Sequence, residues 1–220
     1  MPENEYAQEF ECSFDAAITG AYYAKELQQA EADGRIGRVP YDKALKVHTA
    51  WDLGISDSTA VWFYQQVARE IRVIDYLEAS GHGLDYYARE LDKKGYLYGT
   101  HYGPHDIAVR ELGSGKSRLE TAAGLGIKFT VIPASGVQDG INAARMLIGR
   151  MYFDEKKCAI GIDALRQYRE KRDEKRGVNL GPLHDWTSHA ADAFRTLANG
   201  YKETQPEAKR KAPPVVSWMN

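Results

Sequence analysis

Apolar residues recur along this chain with two different periods, and each change of period marks a boundary between expected elements. From about Asp15 to Ala32 the spacing in AAITGAYYAKELQQAEADG is helical, and Gly34 closes it. GRVPYDKAL then reads as an extended connector around Pro40. At Val47 the period shortens to two. VHTAWDLG, TAVWFYQQ and EIRVIDYLEAS are three β-rich runs, the last two close enough to form a hairpin about Ala68–Glu70. GLDYYARELDKKG returns to the helical period, with Leu84, Tyr87, Ala88 and Leu91 on one face and Gly95 as terminator. YLYGTHYG is a fourth strand, a short helix is expected near Ser117–Ala123, and KFTVIPA is a fifth strand. Helical patterns follow in VQDGINAARMLIGR, CAIGIDALRQYREKRDEK and TSHAADAFRTLANG.

These patterns divide the chain into three expected parts. Residues 1–45 form a helix and connector, read as the end of an interdomain linker in a longer protein. Residues 46–203 form one mixed α/β domain, and residues 204–220, rich in Pro and charge, form a poorly ordered tail. A length of 220 residues suffices for one core of ordinary size. No apolar run approaches the ~20 residues that cross a bilayer, and the first residues lack the pattern of a secretory signal. Cys12 and Cys158 are too few for a disulfide framework and lack zinc-site spacing, so they read as reduced thiols of a cytoplasmic protein.

The net charge of -2 argues against a protein that coats nucleic acid, but not against one that cuts it, because metal-binding carboxylates offset basic residues in the sum. Basic residues concentrate in RQYREKRDEKR at 166–176 and again at 209–211. Such runs are ordinarily solvated surface; beside a catalytic site they become candidates for phosphate contact.

Phosphodiester hydrolysis calls for hard cations, and those call for several carboxylates gathered from separate elements. Three places in the chain offer them. Strand alternation puts Val47, Thr49 and Trp51 on one face and His48, Ala50 and Asp52 on the other, so Asp52 sits at a strand end entering the core. A bare carboxylate there is costly unless paired or ligating; otherwise it caps the turn before Gly54. Asp57 is a turn residue or stands behind the ligands. Asp106, in HYGPHDIAVRE, lies just past the fourth strand as a metal ligand or a helix N-cap. In HDWTSHAADAFR, Asp185, His189 and Asp192 are spaced to share one helical face, with Ala190, Ala191 and Ala193 letting that helix approach a sheet closely. Asp192 is the preferred ligand of this group. His189 is a ligand or a proton-handling neighbour, and Asp185 a ligand or a helix cap.

Three antiparallel strands, a helix, then alternating strands and helices is the order of the ribonuclease H-like α/β fold, a central mixed sheet of about five or more strands flanked by helices. WDLGISDSTA, YGPHD and HDWTSHAADAFR resemble the three acidic motifs of the nuclease domains of tailed-phage large terminases, and EFECSF, GAYY and GRIGRVPYD resemble the segment joining the terminase ATPase to its nuclease. The similarity spans roughly residues 9–200. It implies that Asp52, Asp106 and Asp192 bind two divalent ions, Mg²⁺ or Mn²⁺, with Asp52 bridging them and His189 or Asp185 acting on a bound water. It further implies an endonuclease of the host cytoplasm that cuts double-stranded concatemeric viral DNA during packaging. Its expected partners are portal, small terminase subunit and other large-subunit copies, with no membrane. The competing readings are a junction resolvase or transposase core of the same superfamily, and a non-catalytic portal-docking module.

ELGSGKSRLE invites a phosphate-loop reading that fails, because Arg110 stands where the motif needs its first Gly. No ATPase activity is expected of this chain. Lys116, Arg118, Arg169, Lys171 and Arg172 remain as candidate contacts to the DNA backbone. The paired tyrosines Tyr22-Tyr23 and Tyr86-Tyr87 read as core more readily than as stacking platforms for bases.

Overall fold

The computed structural model describes residues 20–54, 58–110, 115–173 and 176–202. The expected helix from Asp15 to Ala32 is shorter in the structure: α1 spans Ala24–Ala32, and residues 20–23 form a turn, an isolated bridge from Ala21 to Arg169 and two bends instead of helix. Residues 15–19, Asp57, Cys12, the 209–211 tract and the tail lie outside the described residues. The remaining elements are β1 (Ile36–Gly37), β2 (Val47–Asp52), β3 (Ser58–Val67), β4 (Glu70–Ser80), α2 (Leu84–Lys94) and β5 (Tyr98–Gly103). A single 3₁₀ turn, His105–Ala108, precedes α3 (Arg118–Gly124), β6 (Phe129–Val131), α4 (Val137–Ile148) and β7 (Met151–Asp154). The chain continues through α5 (Ala159–Gln167), β8 (Glu170–Asp173), β9 (Val178–Pro182) and α6 (Ser188–Gly200).

Seven strands form one mixed sheet in the order β1-β7-β4-β3-β2-β5-β6. Its centre is the antiparallel meander β2-β3-β4, and the strands added on both sides run parallel to their neighbours. Ala68, with φ 51, turns the β3–β4 hairpin, and Gly95 takes the left-handed conformation that ends α2. Parallel strands need cover on both faces, and the chain supplies it. On one face α1, α4, α5 and α6 bury Leu27, Ile148, Leu165 and Phe194 against Trp62, Tyr64 and Phe153. On the other, α2 and α3 bury Tyr87, Leu91 and Ala122 against Trp51, Phe63 and Ile74.

Two expectations need correction. The third long helix does not run through the basic segment. It stops at Gln167, where Tyr168 turns extended, and residues 170–173 pair with 178–182 as a separate two-stranded hairpin. Tyr168 is buried, and its carbonyl accepts from the Tyr22 amide at 2.8 Å, so tertiary packing overrides the helical propensity of the Arg/Lys/Glu run. The connector after α1 and the segment after α4 also contribute strands, β1 and β7, that the periodicity did not announce.

Candidate metal centre

Sequence register delivers the acids to one rim of the sheet. β2 runs parallel to β5 with Ala50 opposite Tyr102, so both strands leave the sheet at the same edge. Asp52 is the last residue of β2, and Asp106 lies in the 3₁₀ turn just past β5. Ile107, fully buried, pins that turn; its Cδ1 would lie 2.5 Å from a Cβ placed on Gly103, so the turn folds tightly onto the strand end.

α6 brings the third group from above the sheet. Its first turns carry Ala190, Ala191 and Ala193, all fully buried, and the small side chains admit β2 and β3 at close range. The Trp62 indole donates to the Ala190 carbonyl at 2.9 Å, fastening the helix start to β3. His189 and Asp192 therefore hang over the end of β2. His189 Nδ1 donates to Asp52 Oδ2 at 3.2 Å, and the His184 ring stands 6.1 Å from that of His189. Asp192 is fixed by Arg195 at 2.7 Å, and Arg195 also donates to the Tyr168 hydroxyl at 2.8 Å.

The electrostatics match this crowding. Burial pushes the Asp192 carboxyl up to about 6, and the negative charge of Asp52 adds to the effect, while Arg195, His189 and His184 oppose it. Two carboxylates close enough to repel and partly withdrawn from water are a donor set for hard divalent cations. The chemistry of Asp52 and Asp192 fits such ions. Asp106 stands differently: its carboxylate is half exposed and receives Arg118 Nη2 at 3.2 Å. Among the described residues, no three His, Cys, Asp or Glu side chains gather closely enough to close a metal cage.

The other expected residues take distinct places. Asp185 is not on the face of α6, which begins at Ser188; its Oδ1 accepts from the Thr187 amide and hydroxyl in the preceding turn. Arg118 is turned inward, 17% exposed in its side chain, with Nη1 donating to the Leu53 carbonyl. Lys116 is exposed ahead of α3. Lys171 and Arg172 are exposed on β8, and Arg169 bridges to Ala21 beside it. Glu78 escaped the sequence reading. It lies opposite Ala60, which lies opposite Asp52, so the three share one row and one face across β4, β3 and β2. Its carboxylate accepts from the Tyr76 hydroxyl, which burial first and then Glu78 and Asp52 hold well above the ordinary tyrosine range. Only strand register could have found it.

A mixed sheet with its antiparallel meander flanked by parallel strands and covered by helices has the ribonuclease H-like fold seen in large-terminase nuclease domains. The likeness extends to particular solved structures. The nuclease domain of the P22 large terminase superposes with a TM-score of 0.57 at 19% identity, over 76% of this chain and 87% of that one. The nuclease of thermophilic phage G20c with bound magnesium gives 0.57 at 14% identity, over 83% and 98%. The large terminase of a second thermophilic bacteriophage gives 0.58 at 18% identity over 74% of this chain, which spans only 41% of that protein. No family model and no curated protein matches the sequence.

Proposed function

We propose that this chain is a DNA endonuclease of viral genome packaging that hydrolyses phosphodiesters with two divalent cations, Mg²⁺ or Mn²⁺. The observation that carries the reading is the His189–Asp52 contact at the rim of a sheet folded like terminase nucleases, with Asp192 near enough for the charges of both to act on its carboxyl. The metal ions present in the G20c structures, magnesium and cobalt, support the choice of cation. When bound, such ions supply Lewis acidity and an activated water. Asp52 and Asp192 would hold them from two elements, with Asp106 added from its turn on the same edge. His189, held against Asp52, orients that carboxylate and takes or returns a proton at its imidazole. Lys116, Arg169, Lys171 and Arg172 steady the DNA backbone as point charges, without reading sequence.

The substrate of this reading is double-stranded concatemeric DNA, and the place of action is the host cytoplasm. In a longer protein the chain would work beside an ATPase module, portal, small terminase subunit and further large-subunit copies. Among the described residues no helix is long and apolar enough to cross a membrane. ATP hydrolysis is assigned elsewhere than this chain, since Arg110 interrupts the only Gly-Lys-Ser loop.

Asp52→Asn tests the proposal because it keeps shape and removes charge. Plasmid nicking in Mg²⁺ or Mn²⁺ is expected to fall at least ~100-fold, the scale on which single groups at a reacting centre act. The thermal transition should persist. A variant that still nicks at the original rate sinks the assignment.

A further inference from the structure

Arg118 entered as a candidate DNA contact, but its geometry points inward. One guanidinium nitrogen, Nη1, donates to the carbonyl of Leu53 at 2.5 Å, and the other, Nη2, reaches Asp106 Oδ2 at 3.2 Å. Leu53 directly follows Asp52, so a single planar group ties the backbone behind one acid to the carboxylate of another, across chain exits that β2 and β5 bring side by side.

The arginine is itself held. It is the first residue of α3, behind a complete capping box: the Ser117 hydroxyl accepts from the Glu120 amide at 3.1 Å, and the Glu120 carboxylate accepts from the Ser117 amide at 2.8 Å. Ser117 also bridges to Arg110, which ties the end of the Asp106 loop to the start of the helix. Ala122, fully buried, anchors α3 in the core. Asp106 has the opposite character. Its side chain is half exposed on a four-residue turn that Ile107 anchors from the other side, so the carboxylate itself is held by no core contact.

We infer that Arg118 is a positioning residue, a clamp that holds Asp106 in register with Asp52 for cation binding. The inference rests on the nuclease reading above. A guanidinium can do this because its donors are rigidly coplanar and reach two acceptors at once; a lysine ammonium keeps the charge but loses the fork. Charge and geometry can therefore be separated. A clamp makes both Arg118→Lys and Arg118→Gln weaken cation binding. A guanidinium that merely competes with the cation for Asp106 makes Arg118→Gln bind more tightly.

The experiment is calorimetric titration of the 220-residue chain with Mn²⁺ alone, on the unaltered protein, on both Arg118 variants, and on each again in an Asp106→Asn background. Thermal melts of every variant confirm folding. Both single variants should bind Mn²⁺ about 10-fold more weakly, the scale typical for groups that orient ligands. That loss should vanish once Asp106 is already Asn. Unchanged or tighter binding by Arg118→Gln overturns the clamp, as does a full loss that persists in the Asp106→Asn background, since the arginine would then act on something else. Failure of the unaltered chain to bind Mn²⁺ at all overturns the nuclease reading and the clamp with it, so the two failures remain distinguishable.

Discussion

Two titratable side chains near the rim pull stability in opposite directions with pH. Burial lowers the His101 imidazole to about 4, with a smaller contribution from His48. Its neutral ring shares a 2.7 Å hydrogen bond with the Thr49 hydroxyl, which also accepts from the Trp51 indole. The unfolded ring, near 6.5, gains its proton first, so stability falls as pH drops from 6.5 through 4. Asp192 does the reverse. Raised from 3.8 to about 6, it keeps its proton in the folded state where the unfolded carboxyl has lost it, so its contribution is full below 3.8 and is lost as pH rises through 6. Asp192→Asn should therefore stabilise the protein without added metal at pH 7.5. With 37% of the side chain exposed, solvent screening cuts the gain to about 1 kcal/mol. Urea unfolding at pH 7.5 and at pH 4 measures it; the gain should shrink toward zero at the lower pH. A less stable variant at pH 7.5 would mean that the Arg195 ion pair outweighs burial and the Asp52 charge. At this scale much of the site was legible. Alternation placed Asp52 on the α6 side, and helical spacing joined His189 to Asp192. For Asp185 the shared helical face fails, because the helix starts only at Ser188, and its other reading, a group capping the turn ahead of the helix, matches its hydrogen bonds from Thr187. Glu78 was invisible, since only the pairing of β2, β3 and β4 puts it in Asp52's row.

Helices reach the sheet only where the sequence leaves room, and α5 is the tightest case. A Cβ on Gly161 would lie 2.4 Å from Trp62 Cη2 and 3.0 Å from Tyr76 Cδ2. Trp62 is fully buried and tethered by its indole to Ala190, so it cannot swing aside without releasing the start of α6. Gly161→Ala should cost about 1–3 kcal/mol, the range for overpacking a filled core, despite the better helix propensity of Ala. Urea unfolding gives the value, and a neutral or stabilised variant would show that Trp62 is free to move. The long elements were readable: β2, β3, β4, α2, α4 and α6 all lie where their runs put them, although β3 is buried along seven consecutive residues, on both faces, and so shows no alternation. Short elements were not. β1 has two residues and β7 four, too few to display any period, and each is a strand only because its neighbour offers free backbone groups. β8 misled for another reason. Its charged residues favour helix locally, but the turn at Gly177 (φ 65) and the pairing of Arg172 with Asn179 fold the segment back on itself.

At the scale of the whole molecule, the order of elements carried the fold class because a three-strand meander followed by strand–helix alternation leaves few un-knotted solutions. It could not carry the sheet's far edge, where β7 and β1 add beside β4, nor the hairpin that leaves the sheet altogether. That hairpin matters for function by its position in the chain: it separates α5 from α6, so the strand carrying Lys171 and Arg172 is followed, after β9 and one turn, by the helix carrying His189 and Asp192. On the nuclease reading proposed above, a basic arm leading into that helix would grip the DNA backbone while Asp52 and Asp192 face the scissile bond. The grip, being electrostatic, must weaken with salt. Each phosphate contact contributes about -0.9 to the slope of log K against log salt for duplex DNA. Replacing Lys171 and Arg172 together by Gln should lower the steepness of that slope by about 1.8 and reduce affinity equally for unrelated sequences. Both side chains are exposed and belong to neither core, so the urea midpoint and Mn²⁺ affinity should stay as they are. Fluorescence anisotropy with two unrelated duplexes across a salt series decides the matter. An unchanged slope would place the DNA on another face, and a slope that changed for one sequence only would mean that the arm reads bases.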